Sequence, residues 1–168
     1  MTLAELNATT HARFAEALGG VFEHSPWIAE AAWAQRPFAT IEALHAAMCA
    51  VVATAGAARQ LALIHAHPQL AGRAAVRGEL TEASTREQRG AGLDQCSPEE
   101  YRRLHELNAA YQARFGFPFI LAVRGHTRAS ILDAMAQRLD NGREAEIDEA
   151  LRQIERIAQF RLADMISA

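Results

Sequence analysis

The stretch Ile64-His65-Ala66-His67-Pro68-Gln69-Leu70-Ala71-Gly72 sets two histidines one residue apart and ends the second against a proline. Imidazole titrates near neutral pH and is the commonest general acid or base. A residue before proline is pushed out of the helical region, which predicts His67 at the mouth of a loop. Two other readings stand beside this one. An extended His-x-His turns both rings to one side, so His65 and His67 could be ligands in a metal-dependent hydrolase. Neither a cysteine pair nor a His-Glu-x-x-His motif accompanies them. The plainest option is a histidine that only packs and hydrogen-bonds.

A second group is Ser84-Thr85-Arg86-Glu87-Gln88. Ser-x-x-Glu is a capping box, in which Glu87 would fold back onto the Ser84 amide. The chemical alternative is a helix N-terminus with open amide donors, from which Glu87 and Gln88 project into a cleft. The two readings compete for Glu87. A third candidate is Arg161, which falls on the stripe set by Ile147, Leu151, Ile154, Ala158 and Met165 at three- and four-residue spacing. A buried guanidinium must find an anion or several carbonyls. It is therefore either half of an internal salt bridge, a side chain reaching out at the stripe's edge, or a planar fork for a carboxylate or urea-like ligand. A serine hydrolase fits poorly: His24 and Ser25 are adjacent, Ser25 reads as a cap, and no Gly-x-Ser-x-Gly elbow occurs.

The elements that would carry these groups read as helices throughout. The pattern predicts helices at 10–18, ending at Gly19-Gly20, and from the Ser25-Pro26 cap to before Pro37. Others follow from Thr40 to near Gly56, over 57–64, after Ser84, and from the Ser97-Pro98-Glu99-Glu100 box to near Gly116. Two final helices, 128–139 and 143–166, flank Asp140-Asn141-Gly142. Residues 68–83 are rich in Gly, Arg and Thr and read as a long irregular loop, a length that often marks function. Phe117 to Val123 is apolar but broken by Pro118. The expected fold is an all-α bundle of seven to eight helices in a single domain, 1–168.

Composition removes several chemistries. All 17 basic residues are arginine, so the lysine required by Schiff-base catalysis, pyridoxal phosphate or a Walker-A loop is missing. A net charge of −3 without a basic face argues against nucleic acid. Cys49 and Cys96 match no zinc or redox spacing and read as thiols in a reducing compartment. With no run of 18 apolar residues and no leader-like N-terminus, no membrane partner is expected. The ending Ile166-Ser167-Ala168 is not a Ser-Lys-Leu address, and a cytoplasmic location is the expectation.

Leu18-Gly19-Gly20-Val21-Phe22-Glu23-His24-Ser25-Pro26-Trp27 with Trp33, then Arg36-Pro37-Phe38, the His67-Pro68 block, Ser84 to Gly92, and Phe115 to Arg124 together resemble the OHCU decarboxylase family. The blocks fall in the same order and span nearly the whole chain. That family acts on 2-oxo-4-hydroxy-4-carboxy-5-ureidoimidazoline, the last intermediate between urate and allantoin. The resemblance implies an all-helical homodimer that needs neither metal nor organic cofactor, with this small molecule as its substrate. It implies that His67 is the catalytic histidine and Glu87 its acidic partner. It further implies substrate contacts from Pro68, Ser84, Gln88, the segment Phe119, Ile120, Leu121, Ala122 and Val123, and Arg161. Some animal members carry a peroxisomal tail and some relatives a fused hydroxyisourate hydrolase domain; neither is seen in this sequence. A non-catalytic helical interaction module is the rival from another class. It predicts Arg161 paired with an internal acid and no pocket joining His67 to Glu87.

Overall fold

The structure, a computed structural model, describes residues 1–167. Among them are ten α-helices: α1 Leu3–Ala8, α2 His11–Leu18, α3 Trp27–Ala32, α4 Ile41–Thr54, α5 Ala57–Ala66, α6 Arg73–Val76, α7 Glu82–Gly90, α8 Pro98–Phe115, α9 Arg128–Arg138 and α10 Arg143–Met165. Two 3-10 turns, Trp33–Gln35 and Leu93–Gln95, complete the regular structure, and no strand is present among the described residues. The all-α expectation holds. The two helices beyond the expected eight are α1 and α6, each too short to show a periodic apolar face. No single helix among the described residues is long and apolar enough to cross a membrane.

The chain divides into two compact units, one of residues 1–66 and the chain from Ile154 on, the other of His67–Gln153. In the first, hydroxyl caps start the helices: Thr2 accepts from the Glu5 amide at 3.2 Å, Thr10 from Arg13 at 3.4 Å and Thr40 from Ala43 at 3.1 Å. The faces so aligned bury Leu6, Phe14, Leu18, Ile28, Leu44 and Met48 completely or nearly so. The helix α2 stops at Gly19 as expected, though not through a left-handed glycine. The Gly19 backbone is right-handed, and a Cβ there would lie 2.7 Å from the Ala15 carbonyl oxygen, so close approach is what requires glycine. Ser25 is not a side-chain cap either. Its hydroxyl donates to the Glu23 carbonyl at 2.9 Å, and Pro26 stands in the cap position before α3 with no capping side chain.

In the second unit the expected box at Ser97 is present. Ser97 accepts from the Glu100 amide at 3.1 Å, and Glu100 accepts from the Ser97 amide at 3.0 Å. The Ser97 amide and then Arg128 hold the Glu100 carboxyl below the usual carboxylate range. The helix ends at Gly116, left-handed at φ +79°, as a terminal glycine should. Leu104, Leu107, Tyr111 and Phe115 of α8 pack into a core shared with Ile131 and Met135 of α9. The stretch 68–83 is not structureless, since α6 interrupts it and α7 begins at Glu82.

Along α10 the buried line is offset from the expected one. Ile154, Ala158 and Arg161 are buried as foreseen, but Ile147 and Leu151 are half-buried and Met165 is exposed. Glu146 and Ala150 take the buried positions at the start instead. Reading hydrophobicity alone cannot place a glutamate on a core stripe.

Candidate active site

The helix α5 stops at Ala66, and His67 follows it as a buried side chain, while His65 in the last turn is exposed. Pro68 then forbids continuation of the helix. The backbone after it is held from outside. Gln88 Oε1 accepts from the Ala71 amide at 2.9 Å, and Gln88 Nε2 donates to the Gln69 carbonyl at 3.4 Å. Asn108 Nδ2 donates to the Leu70 carbonyl between them at 2.9 Å. Side chains of α7 and α8 thus grip three consecutive residues. Ala71 needs that grip, because its φ of +48° is left-handed, a conformation that costs a non-glycine residue about 1 kcal/mol or more.

The start of α7 corrects the capping reading. Thr81 is the cap: its hydroxyl accepts from the Ser84 amide at 3.2 Å, and its carbonyl accepts from the Thr85 hydroxyl at 2.9 Å. Ser84 therefore sits in the first turn, with its amide already used, and Glu87 is not the closing residue of the expected box. The same shift removes the open amide donors proposed for Ser84. At about 100° per residue, Ser84, Glu87, Gln88 and Ala91 share one face of α7. Ser84, Gln88 and Ala91 on that face are buried and Glu87 is half-buried. With Thr81 as the cap, the capping-box reading of Glu87 does not hold.

Residues 117–123 are buried with no regular structure, so their peptide groups need side-chain partners. Arg138 donates to the Ile120 carbonyl at 2.6 Å, Gln153 accepts from the Ala122 amide at 3.0 Å, and the His126 amide donates to the Val123 carbonyl at 2.9 Å. Arg138 also lies over the Phe119 ring, 4.5 Å from its centre. Glu146 balances its charge at 2.9 Å and accepts from the Tyr111 hydroxyl and from Asn141. Burial, then the bond to Glu146, pushes the Tyr111 hydroxyl well above its ordinary range. Arg138, Glu146 and Gln153 escaped the sequence reading. Ile131, Met135 and Arg138 recur at four- and three-residue spacing, so the stripe logic used for Arg161 would have found Arg138.

Arg161 lies in the other unit. Its Nη1 donates to Glu23 Oε2 at 2.7 Å and to the carbonyls of Gly20 and Val21 at 3.2 and 3.4 Å. Both partners of this ion pair are buried. The internal salt bridge foreseen as one option for Arg161 is therefore present. A cavity of about 500 Å³ in the second unit is bounded by Ala71, Thr85, Gln88, Arg89, Leu93 and Tyr101, among others. It touches the α7 face only at Gln88, and neither His67 nor Glu87 lines it. No group of three or more His, Cys, Asp or Glu among the described residues could hold a metal ion, so the His65/His67 hydrolase reading has no ligand set.

A lysine-free all-α protein that hangs a buried histidine on a clamped turn, and sets a glutamate and a glutamine on a neighbouring helix face, has the parts of an acid–base enzyme. Residues 7–163 match the family model for OHCU decarboxylase, and the chain belongs to that family. It is 39% identical over 165 residues to a 2-oxo-4-hydroxy-4-carboxy-5-ureidoimidazoline decarboxylase of Halalkalicoccus jeotgali, covering 98% of this chain and 92% of the relative. It is 43% identical over 166 residues to the uric acid degradation bifunctional protein PucL of Bacillus subtilis, covering 99% of this chain and 33% of that one. A crystal structure of (S)-allantoin synthase superposes with a TM-score of 0.79 at 34% identity, covering 99% of this chain and 54% of that chain.

Proposed function

We propose that this protein decarboxylates 2-oxo-4-hydroxy-4-carboxy-5-ureidoimidazoline to (S)-allantoin, the last step from urate to allantoin, without a cofactor. The observation that carries this is the end-to-end match to a relative bearing that activity's name. The chemistry agrees with a chain that has no lysine. When the bond from C4 to its carboxylate breaks, the electron pair needs a sink, and the adjacent imine carbon of the ring supplies one. CO2 leaves as a C4=C5 double bond forms and the displaced imine pair takes a proton at the ring nitrogen; the C4 hydroxyl then becomes a carbonyl as its proton departs, and the former imine carbon takes up a proton from one face.

In this scheme His67 engages the C4 hydroxyl or carboxylate and, with Glu87, moves the protons. Pro68, Ser84, Gln88 and the groups of Phe119 to Val123 hold the ring and ureido arm; for Arg161, whose Nη1 is taken up by Glu23, a substrate contact rests on the family resemblance alone. Thr81 supports the role for Glu87, because it relieves Glu87 of closing the helix cap. The protein acts as a cytoplasmic homodimer, a proposal resting on the family resemblance and checked by light scattering and cell fractionation. His67→Asn should lower turnover on freshly generated substrate by about 10²- to 10⁴-fold. Near-normal turnover by that variant would sink the assignment. Exhaustive chelation should leave activity intact, and its loss would bring metal chemistry back. The Arg161–Glu23 pair is what a non-catalytic interaction module would contain; that reading predicts no acceleration at all.

A further inference from the structure

Asn108 belongs to no part of the site described by sequence, yet it holds the centre of the turn that follows His67. It lies on α8 with Leu104, Leu107 and Tyr111, on the face that builds the core, and it is 4% exposed. Leucine would suit that face better. The Nδ2 group donates to the Leu70 carbonyl at 2.9 Å, while Oδ1 has no hydrogen-bond partner among the described residues. The orientation is fixed, since only the amide nitrogen can donate to a carbonyl. A buried amide with one oxygen unmatched is a net burden on folding, so the bond to Leu70 has to be worth something else.

We propose that Asn108 is a positioning residue for His67, acting with Gln88 through the backbone of residues 69–71. The inference rests on the catalytic role given to His67 above. Gln88 holds the groups on either side, the Gln69 carbonyl and the Ala71 amide, and Asn108 holds the carbonyl between. Ala71 is in a left-handed conformation that the chain would not choose unaided. Between the gripped residues and His67 stands Pro68, whose ring fixes φ and removes one of the soft torsions that could absorb a shift. Movement of the Leu70 carbonyl is thereby passed on to the imidazole.

The test compares the wild-type protein with Asn108→Leu and Asn108→Asp on substrate generated in the cuvette. Asn108→Leu removes the unmatched oxygen but leaves the Leu70 carbonyl without a donor, so its melting temperature should fall by only a few degrees and the protein should stay folded. Its kcat should fall by about tenfold or more, with KM changed by less than about twofold. Asn108→Asp has no donor while ionised and should show a similar loss. As pH falls and its carboxyl is protonated, the new O–H can donate to Leu70, so activity relative to wild type should recover. The His67 ring resonances, followed by NMR in the folded Asn108→Leu protein, should shift. Wild-type kcat in folded Asn108→Leu, or unmoved His67 resonances, would overturn the proposal. Should wild type itself not accelerate the reaction, the functional reading fails, and the resonances still decide whether Asn108 places His67.

Discussion

Among the described residues, two turns carry a non-glycine residue at positive φ, His24 at +49° in the first unit and Ala71 at +48° in the second. They are held by different means. Beside His24, the Glu23 carboxylate is locked to Arg161 at 2.7 Å, and the Ser25 hydroxyl holds the Glu23 carbonyl. Around Ala71 the ties are neutral amides from Gln88 and Asn108. A buried ion pair is an all-or-nothing fastening, because either partner alone is left as an uncompensated charge. Amide ties are individually weak, do not titrate, and place no added charge beside the histidine proposed to move protons. The contrast separates a turn fastened by a buried ion pair from one fastened by neutral amides.

The largest effect that could break this comparison should come from the charged turn. Glu23→Ala should cost about 3–5 kcal/mol of stability by stranding the Arg161 guanidinium. At roughly 2–4 °C per kcal/mol for a chain of this size, calorimetry should record a fall of about 6–20 °C. Replacing both residues, Glu23→Leu with Arg161→Met, should recover much of that loss, whereas a double variant as unstable as Glu23→Ala would show that the pair is not the fastening. A smaller effect is expected at the neutral turn. Gln88→Leu forfeits two ties and should cost about 1–3 kcal/mol, with no dependence on salt in the denaturation midpoint. A marked salt dependence would mean that charge holds that turn as well.

The smallest effect concerns the two thiols, one in each unit. Burial, then the nearby Glu155 charge, pushes the Cys49 thiol up to about 12, and burial also raises Cys96. Since the thiolate is the reactive form, iodoacetamide at pH 8 should label both slowly in the folded protein and Cys49 the more slowly, as read by mass spectrometry. The folded state holds the Cys49 proton more tightly than the unfolded chain does. Its contribution to stability is therefore full below the ordinary value of 9.0 and declines as pH rises from there to about 12. Melting temperatures should accordingly fall on the alkaline side, and Cys49→Ala should soften that fall. Rapid labelling of Cys49 at pH 8 would show that the first unit opens easily, against the comparison drawn here.

Much of the fold was legible because helices announce themselves by caps. Thr40, the Ser97–Glu100 box and Gly116 fixed their helix ends where expected. Errors arose where one local pattern had two possible owners. Ser84-x-x-Glu87 has the form of a cap, but Thr81 lies one turn earlier and takes the Ser84 amide. Met165 continued an apolar spacing that the structure leaves exposed, while Glu146 occupies the core because Arg138 is 2.9 Å away. The Arg138 position falls on a legible stripe, but the pairing that lets Glu146 be buried leaves no periodic trace in a sequence. His67 could be singled out because residue type and proline context mark it locally. Asn108 was not, since an asparagine on a core face has no local signature of the carbonyl it will meet.

The central claim is stereochemical, and it is tested most directly by circular dichroism of the product while urate oxidase and hydroxyisourate hydrolase supply the substrate. Spontaneous decay gives racemic allantoin, so substrate disappearance alone decides nothing. The account predicts that the folded wild-type protein produces an (S)-allantoin signal that grows in proportion to its concentration. Racemic product formed at the spontaneous rate, in the presence of folded protein, would contradict it.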